Sequence, residues 1–152
     1  MPTRNEILES RGYPMDRAPV PGGLYRPVTI HEGVAYLSGS IPTDGDALTA
    51  QGKVPSLVSV DDATKAAELC AANLLRVFAR EVGSLDAIRQ VLKVTGFVNS
   101  DADFTEPHVV INGASQLLID VLGDAGRHAR SAVGMAALPR GASVEVEMIV
   151  AL

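Results

Sequence analysis

Apolar positions recur with a helical period in two stretches of the chain and alternate with a period of two in three others. Between Ser59 and Gly83, the residues Ala63, Ala66, Ala67, Cys70, Leu74, Val77 and Phe78 return at spacings of three and four. Asp61, Lys65, Glu68, Arg76 and Arg80 fall mostly on the other side. That spacing predicts an amphipathic helix. Ser59 is its N-cap, with the acidic Asp62 three positions on at the positive end of the dipole, and Gly83 suits the residue that ends it. A second helix is predicted over Ala114 to Leu122, with Leu117, Leu118, Val121 and Leu122 as its stripe and Gly123 as its stop. Its start is open: Pro107 suits a first turn, but Asn112-Gly113 is poor helix interior.

The alternating stretches predict strands. Val34 to Ser38 is a short one stopped by Gly39, followed by turn residues from Pro42 to Asp46 and an irregular stretch to Ser56. Val91 to Asn99 is a longer one, with Leu92, Val94 and Val98 on one face and Lys93 and Thr95 on the other. The end of the chain predicts a hairpin: Ser131 to Leu138, a turn at Pro139-Arg140-Gly141, then Ser143 to Leu152 with Val144, Val146, Met148 and Val150 alternating. Pro14, Pro19, Pro21 and Gly22-Gly23 predict a loop or an edge between Gly12 and Arg26. Strands flanking each helix argue for an α+β layer with the helices on one sheet face.

Composition narrows the function classes. The 152 residues are 47% hydrophobic but only 4% aromatic, without tryptophan. One domain with a core of small aliphatic side chains follows, and such a core favours support from partner subunits. The net charge of −5 and the lack of any Lys/Arg run argue against a nucleic-acid partner. No apolar run approaches the ~20 residues of a membrane span, and Met1 to Tyr13 lacks the apolar stretch of a signal peptide. The single cysteine, Cys70, lies on the apolar stripe of its helix as a packing residue and suits a reducing compartment, so the cytoplasm is the expected location. His31, His108 and His128 have no metal-ligand spacing, so no metal is expected and each reads as a surface or hydrogen-bonded structural residue. No nucleophile elbow, P-loop or dinucleotide fingerprint occurs.

The terminal hairpin carries the candidate chemistry. If Pro139 and Arg140 are its loop residues, Gly134 pairs with Glu145 and Ala132 with Glu147, and Arg130 shares their face. A glutamate opposite a glycine, with an arginine further along, makes a pocket between opposite charges. The alternative is a solvated edge hairpin with Arg130 as a surface partner of little energetic consequence. Ile149, Ala151, Ala132, Gly134 and Ala136 lie on the same face, which is too apolar for open water and suits a subunit contact.

Several phrases in the chain then resemble one family. Gly23-Leu24-Tyr25, Leu37-Ser38-Gly39-Ser40-Ile41-Pro42, Gly96-Phe97-Val98, Asp103-Phe104, Ala129-Arg130-Ser131-Ala132-Val133, Leu138-Pro139 and Val144-Glu145-Val146-Glu147 resemble the RidA/YjgF family in order and wording, from about Gly22 onward. Gly126-Arg127-His128 is similar to a longer-chain subgroup of it. The resemblance implies a chorismate-mutase-like α+β fold, a mixed sheet with two helices packed on one face, over residues 22–152 behind an N-terminal extension, 1–21. It also implies a homotrimer around a central β-barrel, with clefts at the subunit boundaries. The implied activity is cofactor-independent hydrolysis of reactive enamine/imine acids of the 2-aminoacrylate type to 2-keto acids and ammonia. A keto-acid-binding trimer without turnover is the alternative; ribonuclease activity, also named in the family, fits poorly with the acidic charge. By the same resemblance Arg130 binds the substrate carboxylate, Glu145 is the catalytic acid/base, and Ser38, Gly39, Tyr25 and Asn112 complete the site. Two departures stand out: Ser40 where members commonly have glutamine, and Ala132 where many have cysteine. Because no ligand constellation for a metal is present, turnover should survive chelators unchanged; loss on EDTA treatment, restored by one divalent ion, would reveal a site that this spacing hides.

Overall fold

The computed structural model describes all 152 residues. Its elements are α1 (Arg4–Ser10), β1 (Val28–His31), β2 (Val34–Ser40), β3 (Thr43–Asp44), β4 (Ala47–Leu48), α2 (Val60–Val82), β5 (Gln90–Asn99), α3 (Pro107–Leu122), β6 (Ala129–Met135) and β7 (Val144–Ala151). Five strands form one mixed sheet in the order β1-β2-β7-β5-β6, and β3 pairs with β4 in a separate ribbon. Helices α2 and α3 pack against each other and against the sheet, α2 beside β2 and β7, α3 beside β5 and β6. The strict alternation of burial along β7 shows that one face of the sheet is covered and the other open. This is the α+β layer expected from the pattern.

Local chemistry accounts for the helices. The Ser59 hydroxyl caps α2 by accepting the Asp62 N–H at 3.1 Å, and Gly83 ends it at φ 111°. All seven residues of the predicted stripe are buried. Arg76, assigned to the polar side by periodicity, is only 3% exposed. The N-terminal segment folds over that side: Arg76 donates to the Pro14 carbonyl at 3.1 Å and to Asn73 Oδ1, and its guanidinium lies 5.9 Å from the Tyr13 ring centre. Helix α3 begins at Pro107 and runs straight through Asn112-Gly113. Gly113 is a contact residue there, since a Cβ on it would lie 2.0 Å from the Thr64 carbonyl oxygen of α2.

The strands depart from expectation in three ways. Strand β2 continues through Gly39 to Ser40, with an irregularity between Leu37 and Ser40. A bulge between Val91 and Lys93 turns Leu92 outward, 40% exposed, and Val91 takes the core position in its place. The terminal hairpin does not form. Strand β6 follows β5 and α3 as a crossover unit and lies parallel to β5, whereas β7 runs antiparallel along the other edge of β5. The physical reason is the helix crossover, which delivers the next strand parallel and adjacent. Pro139-Arg140-Gly141 is thus a turn within a longer connection.

Helix α1 and strand β1 were not predicted. Thr3 and Glu6 form a reciprocal capping box around the start of α1. Leu8 is fully buried in the common core, and Arg11 reaches both Glu68 of α2, at 2.7 Å, and Asp120 of α3. Leu8→Ala should therefore cost about 2–5 kcal/mol in urea unfolding, the range for a core leucine; a cost below about 0.5 kcal/mol would show that α1 is a detachable appendage.

Candidate functional site

The pairing of β5 decides where the candidate residues go. Directly paired side chains share a face, and β5 places Val94 beside Arg130 and Met148, Gly96 beside Ala132 and Val146, and Phe97 beside Val133 and Glu145. Arg130 therefore projects to the helix-covered face, and Glu145 and Glu147 to the open face. The expectation that Arg130 shares a face with the glutamates is corrected: with the hairpin absent, the register that joined them does not exist. The structure instead brings the predicted site residues together as two groups.

The first group lines a cavity of about 530 Å³ that includes Tyr25, Ser38, Gly39, Glu145 and Glu147. Half-burial, with the neighbouring Glu147 adding to it, pushes the Glu145 carboxyl above the usual carboxylate range. Gly39 makes room for it, because a Cβ there would sit 3.0 Å from the Glu145 carboxyl carbon. Ser38 Oγ donates to the Arg26 carbonyl at 2.7 Å, which commits its proton and leaves the oxygen to accept. The Tyr25 hydroxyl accepts the Gly22 N–H at 3.3 Å, so its own proton is free to donate. The segment Pro19 to Gly22 forms one wall and is pinned to α2 by Arg80, which donates to the Pro19 carbonyl at 2.7 Å.

The second group surrounds Arg130 on β6. Its Nη1 donates to Asn112 Oδ1 at 2.9 Å and to Ser115 Oγ at 3.1 Å, and its Nη2 donates to the His108 carbonyl at 3.1 Å. Burial lowers its pKa, but a guanidinium stays charged at any ordinary pH. No carboxylate of the chain lies within ion-pairing distance of it. All three partners are neutral acceptors, so the positive charge is held in place without being neutralised. The Nε–H and one Nη2–H remain uncommitted, the number that one carboxylate accepts.

Three residues of these groups escaped the sequence. Ser115 and His128 support the arginine: His128 Nε2 lies 2.9 Å from Ser115 Oγ, and Nδ1 lies 2.6 Å from the Gly126 carbonyl. His128 does fill the hydrogen-bonded structural role expected of it, but nothing in the residue order linked it to Ser115. Arg140 lines the glutamate cavity from a left-handed backbone position, φ 59°, and donates to the Asp46 carbonyl at 2.9 Å. The proline before it and the glycine after it signalled a turn, not a cavity wall. No group of three or more His, Cys, Asp or Glu side chains is placed to hold a metal ion, and no helix is long and apolar enough to cross a membrane.

Comparison with known proteins agrees with this geometry. The family model for endoribonuclease L-PSP matches residues 15–152. Protein TCP17 of Trypanosoma cruzi is 36% identical over 146 residues, covering 95% of this chain and 91% of that protein. The crystal structure of Atu1372 from Agrobacterium tumefaciens, a protein of unknown function, has a TM-score of 0.90 at 44% identity, covering 99% of this chain and 92% of that one. RidA from the Antarctic bacterium Psychrobacter sp. PAMC 21119 has a TM-score of 0.63 at 26% identity, covering 90% of this chain and 95% of that one.

The environment of His128 has a consequence for stability. Burial and the nearby Arg130 charge lower its pKa below the ordinary 6.5, against the raising effect of its bond to the Gly126 carbonyl. As pH falls through 6.5 the unfolded chain takes up the proton first, so stability present at neutral pH is lost on acidification until the folded ring protonates too. Urea midpoints at fixed protein concentration should thus fall more between pH 7 and pH 5 in the wild type than in His128→Asn; equal falls would mean that the ring titrates freely.

Proposed function

Because the chain belongs to the endoribonuclease L-PSP family, the RidA/YjgF family of the sequence resemblance, we propose that it hydrolyses reactive enamine/imine acids to 2-keto acids and ammonia in clefts between identical subunits. The observation that carries this reading is the division of the site. An arginine with two free donors and no carboxylate partner faces one way, and a glutamate of raised pKa, in its own cavity, faces the other. Neither group is complete in a single chain. The open sheet face supplies a contact surface, where Tyr36, Val133 and Met135 are 36–48% exposed. We assign a homotrimer closed around these faces, so that Arg130 of one subunit meets the Glu145 cavity of the next. We read residues 22–152 as the catalytic unit and 1–21 as an extension whose helix braces it and whose last residues, Pro19 to Pro21, complete the wall of the glutamate cavity.

The chemistry asks little of the protein. A 2-aminoacrylate tautomerises to an imine, and a proton taken up from water at its nitrogen makes the carbon electrophilic. Water adds to that carbon and gives its proton to a base; the base returns the proton to the amino nitrogen, and as the C–N bond breaks to release ammonia the hydroxyl loses its proton to become the keto group. Arg130 binds the carboxylate with its two remaining donors, which fixes the plane of the imine. Glu145 positions the water and accepts its proton; the raised pKa brings it closer to the range in which a base works at neutral pH. Ser38 Oγ accepts from the ammonium or the water, the Tyr25 hydroxyl donates to substrate oxygen, and Gly39 leaves the space that Glu145 occupies. Asn112 holds the guanidinium. No cofactor is needed for these steps. Phosphodiester cleavage fits less well, because the chain is acidic and the His128 ring is already engaged with Ser115 and Gly126. The buried Cys70 suits a reducing compartment, and we place the protein in the cytoplasm.

Arg130→Lys keeps the charge but loses the fork; it should leave the trimer intact and reduce imine hydrolysis by about 100-fold or more. Glu145→Gln should suppress turnover by ~10²–10⁴-fold and still bind a keto acid. Co-expression of the two variants should recover about a quarter of the wild-type rate, because about three in four random trimers are mixed and each mixed trimer contains one intact cleft. Ammonia release, light scattering and calorimetric titration with pyruvate read all three outcomes. A stable monomer, an Arg130→Lys protein of wild-type rate, or mixed trimers without recovery would sink the reading; keto-acid binding with no turnover of any imine would make the protein a sensor.

A further inference from the structure

A chain of hydrogen bonds runs from Arg130 through the helix and into the turn that precedes β6. The Gly126 carbonyl can only accept, so His128 Nδ1, 2.6 Å from it, carries the proton. In the neutral ring Nε2 is then bare and must accept. The donor is Ser115, whose Oγ lies 2.9 Å away. With its own proton directed to the histidine, the Ser115 oxygen turns a lone pair to Arg130 Nη1 at 3.1 Å. Every bond points the same way, from guanidinium to hydroxyl to imidazole to backbone carbonyl, an order in which each bond polarises the next.

The far end of this chain is rigid. Gly126 belongs to the 3₁₀ turn Gly123–Gly126, and a Cβ on it would lie 2.2 Å from the Leu118 carbonyl oxygen, so the turn sits directly on α3. The carbonyl that fixes the histidine tautomer is thereby fixed against the same helix that carries Ser115. The serine also departs from ordinary helical behaviour. A hydroxyl in mid-helix commonly bonds back to the carbonyl four residues earlier, as Thr64 does to Val60 at 2.7 Å in α2; Ser115 bonds instead to His128.

We infer that Ser115 and His128 are positioning residues that set the orientation of the Arg130 fork, and so determine the affinity of the site for carboxylate substrates. This rests on the reading of Arg130 as the carboxylate-binding group. With Asn112 also held by Nη1 and the His108 carbonyl by Nη2, the Ser115 contact fixes the guanidinium plane and leaves the Nε–H and one Nη2–H uncommitted. A serine against a histidine whose other nitrogen is bound also has the outline of a nucleophile and base. Here the hydroxyl oxygen is occupied by an arginine N–H, and Ser115 lines neither the glutamate cavity nor the polar groove beside Asn112.

The test uses the full-length protein with pyruvate or 2-oxobutyrate as the binding probe and imine hydrolysis as the kinetic one. Ser115→Ala and His128→Leu should each weaken keto-acid binding and raise KM by about tenfold, leaving kcat within about twofold. The double variant should be no worse than either single one, because both remove the same chain. Ser115→Thr, which keeps the hydroxyl, should restore affinity. Nitrogen-15 spectra of the wild type should show His128 protonated at Nδ1 and bare at Nε2, and Ser115→Ala should shift the Nε2 signal. A merely structural role would lower thermal stability and leave KM unmoved, and that result overturns the inference, as does labelling of Ser115 by a fluorophosphonate. Arg130→Lys separates the two levels. If it binds keto acid as the wild type does, the carboxylate reading itself has failed; if it does not, while Ser115→Ala binds normally, only the positioning role has.

Discussion

Strand β5 is hydrogen-bonded along both edges, parallel to β6 and antiparallel to β7, and its pleat decides which face each neighbour's side chains take. Val94, Gly96 and Val98 turn to the helices; Thr95 and Phe97 turn to the open side. Arg130 sits beside Val94 and Glu145 beside Phe97, so the sheet itself stands between the arginine and the glutamate. A shift of one residue in either pairing would reverse the assignment. The core prevents that shift in β7, because it would drive Val144, Val146, Met148 and Val150 out of a face where all four are buried.

Small residues let the helices come close enough to hold that register. Gly113 allows α3 to touch the backbone of α2 at Thr64, and Gly96 makes space for Ile111, whose Cγ1 would be 2.4 Å from an added Cβ. With a core this poor in aromatic side chains, such close approaches recover contact that bulk cannot supply. The close packing also has functional weight. It fixes the stretch of α3 from His108 to Ser115, and that stretch supplies all three acceptors around Arg130.

The two halves of the site differ in how they treat charge. Around Arg130 the acceptors are neutral, which orients a cation and leaves it available for an incoming anion. Around Glu145 the dominant effects are burial and a second carboxylate, which favour the protonated form and keep the group reactive towards a proton. Each half is unsatisfied in a complementary sense. The sheet face that carries Glu145 also exposes the large apolar side chains of Tyr36, Val133 and Met135.

Much of this was legible from residue order. The 3.6 period and the Ser59 and Gly83 signals located α2, the alternation in Val144 to Val150 located the core face of β7, and the family phrases identified Arg130, Glu145, Tyr25, Ser38 and Asn112 as residues to follow. The Thr3 to Glu6 capping box was also present in the sequence, but a seven-residue helix is too short for a periodic stripe to support it. Tertiary structure alone decided the rest. Periodicity reports which residues share a face of one strand, and it carries no information about which strand comes next in the sheet. That is why Arg130 and Glu145 could be placed on one hairpin face by pattern and lie on opposite faces in the fold. For the same reason Arg76 could read as solvated, since only packing shows that the segment around Tyr13 and Pro14 covers it. Local sequence determined α2, the apolar stripe of α3 and the core face of β7, because those depend on neighbours a few residues apart; strand order, the bulge that turns Leu92 outward, the Ser115 and His128 support of Arg130 and the division of the site depend on contacts between residues far apart in the chain.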